Sequence, residues 1–492
     1  MSLLNVVSFL GIFGLCAIAW LFSDDRSFKL FPWRVVITGI LLQLVLGAMV
    51  FVVPGTREAL QIFSDLLDGV FLAADAGARF VFGRNIVPVP GQPSDVNLGY
   101  IFAFRALPTV VFFSGLMALL ENLGVIQSVT NVFAKAFYKV MRLSGAEALS
   151  GAANIFVGIE AAIVVKPYLP KMTRSEICAI LSCCFGTAAS STLAIYVSFL
   201  RPVFPNILGH LVSASIIAIP ACFVLSKILV PETEKPLTMG GIPKDEKKWL
   251  TEDGEMLEDV VQVKEEWISP LDAAIMGAID GVKMAVSIAA VLILILGLVS
   301  LINQIFGALA TIPGTIGDVF KVVTLANIAG VLFLPFTFLT GVSLEWNELW
   351  ESSVIIGRRL LETAIPPYQA LAAAAARPEN PISDRAVLII SYALSGFAHL
   401  ASVGIFVGGT IALIPSRRKD ISELGWKALF VGTLATLMIA CVAGVFDRGN
   451  PSILGEKTAP AATKSIVAPS PKPSLIVPSP RTVKSPTASS KP

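Results

Sequence analysis

Chemistry in a strongly apolar chain depends on its few charged, amide, hydroxyl and imidazole side chains. Glu160 stands in a moderately apolar stretch near 145–173. A carboxylate at membrane depth is costly, so it faces an interior cavity or a partner and marks a functional candidate. Glu362 stands in a second such stretch near 352–375, where Arg358 and Arg359 precede it by four and three residues. On a helix that spacing allows an ion pair, and the alternative is that Glu362 turns toward a ligand. His399, one of only 2 histidines, lies among apolar residues. It is either a satisfied structural group or a contact that donates, accepts and titrates near neutrality.

Asn154 to Gly158 sets an amide and a flexible glycine at a predicted hairpin turn, where carbonyls escape helical pairing and can face a cation. The run Phe185-Gly186-Thr187-Ala188-Ala189-Ser190-Ser191-Thr192 is rich in hydroxyls and small residues. Unwound at membrane depth, it would supply further oxygens for a hard cation; as continuous helix, it would simply pack closely. The 6 cysteines, Cys16, Cys178, Cys183, Cys184, Cys222 and Cys441, lie in apolar segments without the spaced Cys/His pattern of a zinc site. No nucleophile-and-base spacing or metal triad supports an enzyme.

These residues need a scaffold, and composition says which kind. The 492 residues are 55% hydrophobic and 15% charged, where soluble domains average about a quarter charged. Apolar runs of roughly 18 residues or more, enough to cross a hydrocarbon core of about 30 Å as helix, recur along the chain. The predicted class is an all-α polytopic membrane protein, with the lipid bilayer as its surroundings. Net charge is +2, which offers no basic surface for nucleic acid.

Predicted spans are 3–22, 35–53, 101–120, 178–199, 206–230, 284–308, 323–341, 386–413 and 426–446. The stretches 145–173 and 352–375 each combine Gly or Pro with a carboxylate and are read as re-entrant hairpins. The chain accordingly divides into 1–100, N-terminal helices and an interfacial segment; 101–230, the first half of the core; and 231–270, a hydrophilic cytoplasmic loop. The second half of the core occupies 271–446, and a Pro/Ser/Lys-rich tail expected to be disordered occupies 447–492. Met1 to Phe22 has no preceding basic residue and no small-residue cleavage site, so it reads as a first spanning helix. Arg26, Lys29 and Arg34, and later Arg417, Arg418 and Lys419, place two short loops in the cytoplasm. The N-terminus and the tail are then expected outside an inner (plasma) membrane.

Several stretches, in order, resemble the concentrative nucleoside transporter family: FAFRALPTVVFFSGLMALLENLGVIQ (102–127), SGAEALSGAANIFVG (144–158) and KPYLPKMTRSE (166–176). DAAIMGAIDGVKMAVSIAA (272–290) and SYALSGFAHLASVGIFVGG (391–409) fall where that family has comparable segments, so the resemblance covers roughly residues 1–446. It implies a homotrimer of about eight crossings and two re-entrant hairpins per protomer, with substrate near the midplane between hairpin tips and broken helices. It also implies sodium-driven nucleoside uptake, with a proton as the alternative coupling ion, and no catalysis.

Carried over residue by residue, the family's sodium site falls on Asn154 by side chain, Val157 by carbonyl, Thr187 by hydroxyl and Ala188 by carbonyl. The substrate site falls on Gly158, Ile159, Glu160, Thr192, Glu362, Phe397, His399 and Ser402. Here the chain departs from the pattern. The family's Gly-Gln-Thr-Glu-Ala-Pro reads Gly158-Ile159-Glu160-Ala161-Ala162-Ile163, one residue shorter and without two polar base-reading groups. Thr363-Ala364-Ile365 stands where the family has Asn-Glu-Phe with its ribose-binding glutamate. His399 replaces a ribose-contacting asparagine, while Phe397 and Ser402 are retained. A polar pocket altered at several groups changes which ligand it accepts, so the substrate need not be a standard pyrimidine nucleoside.

Overall fold

A backbone crossing lipid must satisfy its own N–H and C=O groups, so long apolar runs are expected as helices. The computed structural model, which describes residues 2–53, 69–89, 101–166, 168–239, 269–449 and 454–455, contains helices and no strand among those residues. Of the predicted segments, residues 54–68, 90–100, 240–268, 450–453 and 456–492 lie outside the described ones.

The chain runs through α1 (Leu3–Leu21), α2 (Trp33–Phe51), α3 (69–82), α4 (Phe102–Arg105), α5 (Leu107–Asn122) and α6 (Val125–Met141). Next come α7 (Gly145–Ala153), a 3-10 turn (Ile159–Val165), α8 (Arg174–Gly186), α9 (Ser190–Leu200) and α10 (Ile207–Leu229). The second half holds α11 (Pro270–Leu309), α12 (Thr315–Phe320), α13 (Leu325–Leu339), α14 (Trp346–Glu362), α15 (Ile365–Ala375), α16 (Asp384–Leu394), α17 (Leu400–Leu413) and α18 (Arg418–Phe446). Six helical stretches among the described residues are long and apolar enough to cross a membrane. They contain α1, α2, α4 with α5, α10, α11 and α18.

The predicted spans 178–199 and 386–413 are not continuous helices. Each is two helices joined by a non-helical gap, Thr187–Ala189 in the first and Ser395–His399 in the second. The two gaps pack on each other: the Phe397 N–H donates to the Thr187 carbonyl at 3.2 Å. Gly396 allows this approach, because a Cβ there would lie 2.8 Å from the carbonyl oxygens of both Phe185 and Gly186. The predicted span 323–341 is the shorter helix α13, and 284–308 is the interior of the 40-residue α11. Only Gly281, Ala285 and Leu292 of α11 are buried, so its apolar surface faces outward.

The helices leading to the gaps are fixed at their far ends. Ser144 caps α7 by accepting from the Glu147 N–H, while the Glu147 carboxylate accepts from the Ser144 N–H. Thr173 and Glu176 make the same reciprocal box for α8. Lys227 on α10 sits 2.5 Å from Glu147 and 3.1 Å from Glu232, which ties α7 to α10 through buried charges. Lys427 pairs with Asp24, and at the opposite end of α18 the Asn5 amide donates to the carbonyls of Val445 and Asp447. The two basic loops therefore lie at one end of the molecule, and Asn5 and Asp447 at the other.

Candidate functional site

The two stretches predicted as hairpins each hold a turn where regular hydrogen bonding stops, between α7 and a 3-10 stretch in the first and between α14 and α15 in the second. After α7, residues 154–158 form a turn before the short 3-10 stretch. After α14, Thr363 takes φ +71°, a region that costs a β-branched residue and forces a sharp reversal before Pro366 and Pro367 begin α15. The two turns and the two helix gaps converge on one cavity of about 380 Å3, closed on its remaining side by α11. That volume falls within the roughly 300–1,000 Å3 of small-molecule sites.

Of the residues predicted to hold substrate, Gly158, Thr192, Phe397, His399 and Ser402 line this cavity. Thr192 Oγ1 donates to the Ala189 carbonyl, leaving its oxygen able to accept. Ser402 Oγ lies 3.0 Å from Nδ1 and 2.9 Å from Nε2 of His399, so the hydroxyl and the imidazole pair whichever nitrogen carries the proton. Phe397 meets the His399 ring edge-on, with centroids 5.9 Å apart. The other histidine, His210, lies elsewhere, bonded to the Tyr392 hydroxyl among aromatic rings. Ile159 and Glu160 begin the 3-10 stretch, and their side chains lie outside the described structure.

Glu362 does not line the cavity. Arg358 donates to its Oε2 from Nε at 2.9 Å and from Nη2 at 2.7 Å, the i,i+4 pairing open to it from the sequence. Thr363, Ala364 and Ile365 line the wall instead. Accordingly, Glu362→Gln is expected to lower the thermal midpoint of the detergent-purified protein while leaving the apparent substrate KM within about threefold. A KM increase of about tenfold or more in an uptake assay would restore Glu362 as a ligand contact.

The predicted cation ligands sit where two helices end. Asn154 caps the C-terminus of α7 and Thr187 that of α8. Cys184 Sγ lies 3.9 Å from the Gly158 carbonyl, placing the turn after α7 against the last turn of α8. Helix C-termini carry partial negative charge and unpaired carbonyls, both favourable to a cation. Asn154 is fully buried; its Nδ2 donates to the Ser150 carbonyl, and its Oδ1 accepts no hydrogen bond. Thr187 Oγ1 donates to the Cys183 carbonyl, so its lone pairs remain free to accept or ligate. Val157 lies in the turn and Ala188 in the gap, where their carbonyls are outside any helix. The donor set of amide, hydroxyl and carbonyl oxygens suits a hard monovalent cation, and the orphaned Asn154 oxygen fits that use.

Sequence reasoning missed Tyr196 and the α11 face. Tyr196 lines the cavity and stacks on Tyr368, ring centroids 4.4 Å apart. Met284, Ser287 and Ile288 close the opposite wall. Ser287, one of two hydroxyls in the 40-residue α11, was the available signal.

Residues 10–85 match the family model described as Na+ dependent nucleoside transporter N-terminus, and residues 210–444 match the corresponding C-terminus. Residues 103–203 match the Gate model, described as nucleoside recognition. The chain is 36% identical over 449 residues to an uncharacterized transporter of Haemophilus influenzae, covering 91% of this chain and 98% of that protein. It is 31% identical over 444 residues to the nucleoside permease NupC of Helicobacter pylori, covering 90% and 98%. A solved structure of CNTnw in an inward-facing substrate-bound state matches with TM-score 0.76 and 35% identity, over 90% of this chain and 98% of that one. The matched models and relatives describe transporters and not enzymes. In overall sequence, all-helical fold and domain matches, this chain belongs to the concentrative nucleoside transporter family.

Proposed function

We propose that the chain is a secondary active symporter that imports nucleosides, or a closely related small polar metabolite, with sodium as the coupling ion. The observation that carries the reading is the buried, unpaired Oδ1 of Asn154 at the meeting of two helix C-termini. Burying an acceptor without a partner is costly, and a bound cation satisfies it. The family description as Na+ dependent supports sodium, and a proton is the alternative ion. Coupling is by alternating access: hairpin tips and broken helices form a transport domain that moves as a unit against the scaffold. The scaffold assembles as a homotrimer in the plasma membrane, with the basic loops cytoplasmic and both termini outside.

In this reading Asn154, Val157, Thr187 and Ala188 hold sodium, and Gly158, Ile159, Glu160, Thr192, Phe397, His399 and Ser402 contact the substrate. Ala364 and Thr363 in the wall favour, as a second reading, a substrate related to nucleosides but recognised by different polar contacts.

Linkage supplies the test, because coupled binding is reciprocal. Titrating purified protein with uridine and adenosine at several sodium concentrations is expected to give affinities that rise with sodium by about 5- to 150-fold, in the range of ordinary coupling free energies. Affinities independent of sodium, with potassium as the ionic-strength control, would remove sodium from the reading.

A further inference from the structure

α1 and α2 both pack on α10 and α18, and between them they leave an apolar slot of about 540 Å3. Phe13, Ala17 and Trp20 of α1 form one wall, and Trp33, Ile37 and Leu44 of α2 form the other. From Trp33 to Leu44 the slot runs about 16 Å at the rise of a helix, which is the depth of one leaflet of a hydrocarbon core about 30 Å thick. It shares no lining residue with the cavity between the turns and gaps.

The mouth of the slot lies at the loop joining the two helices. There Phe28 meets Trp20 and Phe31 meets Trp33, with ring centroids 5.3 and 4.6 Å apart, and all four rings line the slot. Aromatic rings gather at this level of a bilayer, where apolar and wet surroundings meet. The Trp20 indole N–H donates to nothing, whereas an indole N–H shielded from water ordinarily finds an acceptor.

The loop itself is held in place. Ser23 Oγ donates to the Ile228 carbonyl at 2.7 Å and the Asp24 N–H to the Leu229 carbonyl at 2.9 Å, which fixes the loop on the end of α10. Asp24 is paired with Lys427, and Asp25 accepts from the Ser27 N–H. Arg26, Lys29 and Arg34 are exposed, and no described carboxylate pairs with any of them. Three cations against the single carboxylate of Asp25 leave the mouth positive.

We propose that this slot binds one anionic diacyl phospholipid, with an acyl chain between α1 and α2 and the phosphate against Arg26, Lys29 and Arg34. A lipid ester or phosphate oxygen gives the Trp20 N–H its acceptor. Basic residues beside spanning helices on the cytoplasmic side attract anionic headgroups, and the slot adds a place for the chain. The proposal uses the cytoplasmic placement of the basic loops given above and is independent of the substrate.

The test titrates the delipidated, detergent-purified full chain with phosphatidylglycerol and with phosphatidylcholine of the same acyl chains, counting bound lipid by native mass spectrometry. One phosphatidylglycerol per protomer is expected to bind about tenfold or more tightly than phosphatidylcholine. The triple variant Arg26→Gln, Lys29→Gln, Arg34→Gln is expected to bring phosphatidylglycerol down to the level of phosphatidylcholine. Ala17 is exposed on the slot wall, so Ala17→Phe is expected to fill the slot and weaken phosphatidylglycerol by about tenfold with the loop intact. Equal affinities in the unaltered chain overturn the proposal, since any bilayer lipid then serves. So does a preference that survives the triple variant, or phosphatidylglycerol binding unmoved by Ala17→Phe. Loss of an assembly on Ala17→Phe makes the slot a contact between copies of the chain and overturns it as well. The two variants act on separate parts of the site, so either decides if the other does not fold.

Discussion

Replacing Asn154 by alanine is expected to weaken sodium affinity by at least about 10- to 100-fold, and with it sodium-driven uptake. Changing groups that merely support a metal ligand costs about that much, so loss of a direct ligand costs no less. Asn154 is fully buried and bonded to the Ser150 carbonyl, so alanine also removes a structural contact. The two roles separate in a thermal-shift experiment. A purely structural asparagine lowers the melting midpoint equally with and without sodium. A ligand asparagine also abolishes the sodium-dependent increment, which by mass action reflects binding to the folded state. An undiminished sodium increment in the variant would take Asn154 out of the ion site.

The second large effect is expected at His399. It borders the cavity, pairs with Ser402 and meets Phe397, so His399→Ala leaves the Ser402 hydroxyl without its partner and opens the wall. Leaving a buried polar group unpaired costs about 1–3 kcal/mol, which corresponds to roughly 5- to 150-fold in apparent substrate affinity. The loss should appear in KM more than in the sodium requirement, because His399 stands at the other helix gap from Thr187. Ser402→Ala should cost less in the His399→Ala background than alone, since the two side chains share one contact. Full additivity in a double-mutant cycle on KM, or an unchanged KM in His399→Ala, would make this histidine a structural group.

The division between what could and could not be read from the sequence follows its physics. Hydropathy located the spanning helices because lipid demands continuous apolar helix, and α1, α2, α10 and α18 appear near their predicted places. It joined α8 to α9 and α16 to α17, although the hydroxyl- and small-residue-rich run from Phe185 to Thr192 already admitted unwinding at the first gap. Those gaps depend on a tertiary contact, the Phe397 amide on the Thr187 carbonyl, which no local window contains. The pairing of Glu362 with Arg358 was open to reading, since i,i+4 geometry is local. The separate fate of Arg359, turned to Ala393 and Thr436, was not, because both partners lie on later helices. Tyr196 resembled any aromatic residue in an apolar helix until Thr192, one turn earlier, placed that face on the cavity.

The most direct test of sodium-coupled nucleoside import is accumulation of labelled nucleosides in proteoliposomes that carry the purified full chain, with and without an inward sodium gradient. Uptake above the external concentration that requires the gradient, and that collapses with Asn154→Ala, is the result expected here. Absence of nucleoside accumulation under either a sodium or a proton gradient would contradict nucleoside symport, while leaving the family membership and the fold as they are.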